Sequence, residues 1–183
     1  KHDIHELKVE LLGQHMTFLT DAGVFSKKMI DYGSRVLLSA LEFNKKETLL
    51  DVGCGYGTLG LTLAKAQELE VTLVDINQRA LDLARKNADA NQVSADIFQS
   101  NVYEHVTGQF HHIISNPPIR AGKQVVHEVI SGSYNHLLAD GDLTIVIQKK
   151  QGAPSAKAKM EEVFGNCETL KKDKGYYILR SVK

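Results

Sequence analysis

The chain of 183 residues has no tryptophan, three prolines and two cysteines, and its 22 basic residues balance its 22 acidic ones. Each shortage excludes something. With the formal charge at zero, no global field advertises nucleic acid, so any such surface must be a local patch. No apolar run approaches the ~20 residues of a membrane-spanning helix, so no membrane partner is expected. Cys54 and Cys167 lie far apart without a CxxC spacing, which excludes a disulfide framework and points to reduced thiols in a cytoplasmic setting. The opening residues Lys1-His2-Asp3-Ile4 lack a signal-peptide pattern and a starting Met, as a trimmed chain would. Among eight histidines, His111 and His112 are adjacent, but neighbours on a strand point to opposite faces and cannot share one ion. No metal is expected.

What is present is ordinary globular material, 43% hydrophobic and 24% charged, of a size that suits one compact α/β domain. Its organising stretch is residues 48–61. A short apolar run from Leu49 to Val52 contains Asp51 and breaks into the turn Gly53-Cys54-Gly55-Tyr56-Gly57. Leu59, Leu61, Leu63 and Ala64 then begin a helix. Strand, tight glycine loop and helix form the entry to a nucleotide-binding sheet.

Around this stretch the chain alternates strand and helix. Residues 8–12 and 16–20, broken at Gly13-Gln14, predict a β-hairpin extension over residues 1–22, closed by a turn at 20–23. Ser26 is the expected cap of a helix running to Leu41, with Ile30, Leu37, Leu38 and Leu41 inward. Strands are predicted at 70–74, 95–99, 113–115 and 143–147. Asn77 can cap a helix that turns Ala80, Leu83, Ala84 and Ala88 inward, and further helices are predicted over 123–138 and 154–164. Residues 168–172 and 176–179 flank Asp173-Lys174-Gly175 as a closing hairpin, which puts an antiparallel pair on the edge of a parallel sheet. The pattern predicts an α/β, Rossmann-like core over residues 23–183 and one domain in all.

Gly55-x-Gly57-x-x-Gly60 fits a dinucleotide fingerprint, and Asp75, 20 residues beyond Gly55, stands where an acidic residue holds ribose hydroxyls. The same geometry serves several nucleoside cofactors, so an NAD-type oxidoreductase is one reading. Asp51 argues against it, because a pyrophosphate arriving here would meet a carboxylate. S-adenosylmethionine carries no phosphate and offers a cationic amino group that a carboxylate near Asp51 can position. Gly53, Gly55 and Gly57 permit close backbone approach. Downstream, Asn116 follows a predicted strand at its carboxyl end, and Pro117 and Pro118 stiffen the loop. An Asn oxygen and a main-chain carbonyl aimed at one amine draw its lone pair out of conjugation, toward a methyl donor.

The segments Asp51 to Gly57, Val74-Asp75-Ile76-Asn77 and Ser115-Asn116-Pro117-Pro118-Ile119 resemble class I adenosylmethionine-dependent methyltransferases that modify amino nitrogens. More narrowly, residues 18–26, 30–34, 116–123 and 147–155 are similar to the small-domain family of ribosomal RNA guanine-N2 methyltransferases, including stand-alone bacterial members that resemble the C-terminal half of the longer 16S rRNA enzyme. The resemblance covers residues 18–183. It implies a seven-stranded, mostly parallel sheet with one antiparallel strand and helices on both faces. It also implies methylation of a guanine 2-amino group in the RNA of the small ribosomal subunit.

By the same resemblance Asp51, Gly53, Cys54 and Gly55 line the methionine and ribose part of the cofactor site. Asp75 takes the ribose hydroxyls and Ile76 lies against adenine. Asn101, with Val102, occupies the place where such enzymes often carry Asp, and Phe25 covers the pocket. Asn116, Pro117, Pro118 and Ile119 form the catalytic loop. Ile119 departs from relatives with an aromatic at that position; it makes apolar contact with a flipped base but cannot stack as a ring does. Arg120, Lys123, Lys149 and Lys150 flank predicted strand ends on the same rim and are expected to meet RNA phosphates. Adenine N6, a protein glutamine side chain, and a non-catalytic cofactor-binding assembly factor stay open beside this reading.

Overall fold

Adjacent apolar residues in each strand face opposite layers, which is why the strands read as continuous hydrophobic runs. Leu49, Leu73, Ile114, Val146 and Ile178 belong to one buried cluster, and their chain neighbours Leu50, Val74, Ile113, Ile145 and Leu179 belong to the other. A computed structural model describes residues 3–21, 30–118, 120 and 122–183. The strands are β1 (Ile4–Leu11), β2 (Gln14–Asp21), β3 (Thr48–Val52), β4 (Glu70–Asp75), β5 (Ala95–Gln99), β6 (Phe110–Ser115), β7 (Leu137–Gln148), β8 (Glu168–Asp173) and β9 (Tyr176–Val182). The helices are α1 (Tyr32–Ser39), α2 (Thr58–Gln67), α3 (Gln78–Ala90), α4 (Gly122–Ser133) and α5 (Ala153–Phe164).

Seven strands form one sheet in the order β5-β4-β3-β6-β7-β9-β8. Only β9 runs against the others, pairing antiparallel with both β7 and β8. One face is covered by α1, α2 and α3, whose Leu37, Leu61 and Leu81 join the first cluster; α4 and α5 cover the other with Ile130 and Met160. The Rossmann-like architecture expected from the sequence is present, including the N-terminal hairpin.

That hairpin is docked by two amides on α3. Asn87 Oδ1 accepts from Leu19 N at 2.7 Å and its Nδ2 donates to Leu19 O at 3.1 Å. Asn91 Oδ1 and Nδ2 do the same with Thr17 N and O at 2.9 and 2.7 Å. One helical turn separates the asparagines, and the alternate residues of β2 that they meet point their backbone groups to the same edge. Arg79 Nη2 on α3 also pairs with the buried Asp21 at 2.5 Å.

Three expectations are corrected. α1 begins at Tyr32, because Asp31 caps it by accepting from Ser34 N at 3.2 Å; Ser26 lies outside the described residues. The helix predicted over 123–138 ends at Ser133, and after a 3-10 turn (Tyr134–His136) the chain enters β7 six residues before the predicted start at Leu143. Gly141 permits this, since a Cβ there would meet His111 O and Leu138 O at 2.8 Å. Finally, Thr20 and Asp21 remain in β2 rather than turning. Among the described residues no helix is long and apolar enough to cross a membrane.

Candidate active site

The strand order reverses between β3 and β6: β4 and β5 lie to one side, β7 to the other. Ligands of open α/β sheets bind at such a switch point, beyond the carboxyl ends of the strands. A cleft of about 930 Å³ opens there. Ser115 Oγ, at the end of β6, donates to Val52 O at 2.7 Å, so the loop after β6 and the turn after β3 are tied together at its floor.

The glycine turn forms one wall. Gly53 (φ +77°) and Gly55 (φ +56°) have left-handed backbones, and a Cβ on either would meet nothing within 4 Å because it would project into the cleft. Gly57 and Gly60 are needed for packing instead: Cβ atoms there would come within 2.7 Å of Leu61 Cδ1 and 2.9 Å of Leu73 Cδ1. Asp75 fixes the turn from β4. Its Oδ2 accepts from Gly55 N at 2.8 Å and its Oδ1 from Asn77 N at 2.9 Å, leaving lone pairs toward the cleft.

Asp51 and Cys54 were expected on this wall and lie behind it. Asp51 is fully buried, and its Oδ2 accepts from Gly60 N at 3.2 Å in the first turn of α2. Because Gly57 has no side chain to cap that helix, the strand supplies the cap. Burial pushes the Asp51 carboxyl up to about 7, the Gly60 hydrogen bond opposes this, and the charge on Asp75 adds to it. Its Oδ1 is buried without a hydrogen-bond partner among the described residues. Cys54 Sγ is turned toward Gly55 O at 3.4 Å, and burial, Asp51 and Asp75 push the thiol well up. Val52, the strand neighbour of Asp51, lines the cleft, and successive strand residues face opposite sides, so Asp51 is turned away from it.

Ile76, 61% exposed, and Asn77 continue the wall. Beside them, tied by Gln99 Nε2 to Ile76 O at 2.8 Å, is the loop after β5. Ser100 Oγ donates to Val102 O at 2.8 Å and accepts from His105 N at 3.0 Å, holding Val102 at φ +55°, a strained backbone for a β-branched residue. Asn101 and Val102 both line the cleft.

Asn116, Pro117 and Pro118 follow the end of β6 on the cleft wall, Pro117 buried and Pro118 exposed. Its Nδ2 donates to Asp31 Oδ2 at 2.9 Å and to Ser34 Oγ at 3.0 Å, so both amide hydrogens are engaged and Oδ1 is left as an acceptor. Arg120, Lys123 and Lys150 stand at the cleft, whereas Lys149 lies beside it, its backbone N donating to Gly175 O at 2.8 Å. Ile119 and Phe25 lie outside the described residues. Asp31, Gln148 and Tyr176 also line the cleft, and residue-level reading gave them no role. For Asp31 a signal existed in the segment Ile30-Asp31-Tyr32-Gly33-Ser34, but nothing in the sequence brings it to Asn116, 85 positions away. Among the described residues no group of three or more His, Cys, Asp or Glu is placed to hold a metal ion.

The switch point, the glycine turn and the acidic residue ending β4 define a Rossmann-like nucleoside-cofactor site. The methyltransferase small domain pattern matches residues 15–180, and the chain belongs to that family. It is 47% identical over 178 residues to YbxB of Bacillus subtilis, an uncharacterised protein, covering 94% of this chain and 89% of that one. It is 38% identical over 173 residues to ribosomal RNA small subunit methyltransferase C of Erwinia tasmaniensis, covering 92% of this chain and 50% of that protein. Among solved structures it is similar to the T. thermophilus 16S rRNA N2 G1207 methyltransferase RsmC in complex with AdoMet and guanosine. That match has a TM-score of 0.89 at 29% identity and covers 98% of this chain and 50% of the other. The chain therefore spans most of YbxB and half the length of the named methyltransferases.

S-adenosylmethionine is the cofactor of this domain, and the residues present fit it. The cradle at Gly53 and Gly55 is open where side chains would fill it, Asp75 presents a carboxylate beside it, and Ile76 offers an exposed apolar surface for a flat base.

Proposed function

We propose that the chain is an S-adenosylmethionine-dependent N-methyltransferase acting on a guanine 2-amino group of 16S ribosomal RNA. The observation that carries this reading is that Asn116 opens onto the same cleft as Gly53, Gly55 and Asp75 with its amide oxygen unengaged among the described residues. The names of the Erwinia and T. thermophilus relatives favour ribosomal RNA over other carriers of a planar amine. The hairpin and the sheet act in this proposal as one domain in the cytoplasm.

Asp75 accepts from the ribose hydroxyls, Ile76 packs on adenine, and Asn101, beside Val102, accepts from the adenine amine. Gly53 and Gly55 admit the methionine part, Asp51 and Cys54 shape the turn from behind, and Phe25 covers the pocket. When bound, the cofactor supplies an electrophilic methyl group. Asn116 Oδ1 and the Pro117 carbonyl accept hydrogen bonds from the target N2, turning its lone pair out of the ring's conjugation. Pro118 stiffens the loop, and Ile119 gives the flipped base an apolar contact. The N2 proton then leaves to water. Arg120, Lys123 and Lys150 meet RNA phosphates at the mouth, with Lys149 alongside.

The test is methyl transfer from labelled S-adenosylmethionine to undermethylated 30S subunits, deproteinised 16S RNA and total protein, with wild type and Asn116→Ala. Label recovered as 2-methylguanosine and lost in the variant supports the proposal. Label as N6-methyladenosine or only in protein replaces the substrate, and cofactor binding without any transfer makes the chain an assembly factor.

A further inference from the structure

We propose that Asp31 and Ser34 are positioning residues that lock the Asn116 amide with its oxygen toward the cleft, so that the site accepts a hydrogen-bond donor and turns away an acceptor. The inference rests on the reading of Asn116 as the residue that holds the target amine. A primary amide presents either two N–H donors or one carbonyl acceptor to a given side, and the two orientations are related by a half-turn of one torsion. An exocyclic amine can be held only by the oxygen. Among the described residues the choice is settled from the start of α1.

Asp31 Oδ2 receives one amide hydrogen at 2.9 Å and Ser34 Oγ the other at 3.0 Å. In the reversed orientation the amide oxygen would face the acceptor-only Asp31 carboxylate and that bond would be lost, whereas the Ser34 hydroxyl can donate as well as accept and bonds either orientation; Asp31 sets the direction and Ser34 holds the amide in place. The Asp31 contact is charge-assisted, which makes it the stronger of the two. A carboxylate against the amide nitrogen also shifts electron density toward Oδ1, strengthening it as an acceptor. Asp31 is itself held as the cap of α1 by Ser34 N at 3.2 Å. Gly33 completes the fit: a Cβ there would lie 2.9 Å from Tyr176 Cε1 and 3.0 Å from Asp31 Oδ2. A side chain at 33 would displace either the ring on the cleft wall or the carboxylate that orients Asn116.

Because Asp31 also caps a helix, the variants must separate orientation from folding. Asp31→Ser keeps a good capping residue but is too short to reach Asn116. Asp31→Asn keeps both volume and an acceptor oxygen. With undermethylated 30S subunits as substrate, Asp31→Ser combined with Ser34→Ala is expected to lower kcat about tenfold to a hundredfold, leaving S-adenosylmethionine affinity within about twofold. A merely structural role would move affinity and kcat together.

The sharper test exchanges the pair. Asn116→Asp places two carboxylates against each other and is expected to be inactive. Adding Asp31→Asn restores a donor facing an acceptor, although its NH2 then gives up the long 3.2 Å cap bond from Ser34 N to the same oxygen position, and should still raise methyl transfer at least about tenfold over Asn116→Asp alone. Absence of that rescue, in a variant that still binds S-adenosylmethionine, overturns the positioning role. So does full kcat in the Asp31→Ser/Ser34→Ala chain while Asn116→Ala is inactive, an outcome that leaves the proposed function standing. Full activity in Asn116→Ala would instead remove the reading on which the inference rests. Where the Asp31→Ser chain does not fold, the exchange pair decides alone.

Discussion

Asp75→Asn is the smallest change that separates the carboxylate's two tasks. The side chain keeps its shape but has one acceptor oxygen, whereas Gly55 N and Asn77 N each need one, at 2.8 and 2.9 Å. Whichever way the amide turns, its NH2 faces a backbone N–H. One hydrogen bond is lost and a donor–donor contact takes its place, which should cost about 1–2 kcal/mol at this half-buried position. For a chain of this length that lowers the melting temperature by about 2–8 °C. The carboxylate charge that would accept from ribose hydroxyls is lost as well, so S-adenosylmethionine binding should weaken about 10–100-fold. Asp75→Ala, which removes the charge together with both hydrogen bonds, should match the loss of affinity with a loss of stability at least as large. Isothermal titration of the cofactor and thermal melting of the three proteins read both quantities. An Asp75→Asn protein that binds within about threefold of wild type and melts at the same temperature refutes the reasoning.

Two further outcomes follow from the rest of the molecule. Asn87 is fully buried and serves Leu19 N, Leu19 O and, at 2.8 Å, Tyr56 O. Asn87→Ala should lose about 3–4 kcal/mol in urea melts and expose the Leu19 amide to hydrogen exchange while Thr17, held by Asn91, stays protected; equal exchange at both would count against docking by separate amides. His112, stacked 3.8 Å from the Phe43 ring, bonds Asp142 Oδ1 at 2.6 Å and Glu47 Oε1 at 2.8 Å, and Asp142 is also paired with Arg180 at 2.7 Å. Burial pulls the imidazole's pKa down, but the two carboxylates raise it more, above the ordinary 6.5. A raised folded-state value contributes stability below the unfolded pKa, and that stability is lost as pH rises through the folded one. Wild type should therefore exceed His112→Gln in stability by more at pH ~6 than at pH ~9, and a pH-independent gap in paired urea melts would contradict this.

The strand-and-helix alternation, the glycine turn and the Asn-Pro-Pro loop are local patterns. Period-two burial, left-handed glycines and proline-restricted φ act on neighbours in the chain, so residues 48–61 and 115–118 announce their geometry without a fold around them. The sheet with its one reversed strand was legible for the same reason, from near-continuous apolar runs and a closing turn at Lys174-Gly175. The early start of β7 was not, because it depends on the close approach of His111 O to Gly141 across the sheet. Nor could sequence say which side of the turn Asp51 faces. Its burial beneath α2 follows from the packing of that helix on β3 and β4, which removes the carboxylate from the wall and leaves it as a cap. Asp31, Ser34 and Asn116 lie on elements that meet only after α1 packs against the sheet. Hydrogen bonds between residues 82 and 85 positions apart leave no periodicity to read. The chain's local chemistry determined where the glycine turn and the Asn-Pro-Pro loop lie; tertiary packing alone decided which way the Asn116 amide points.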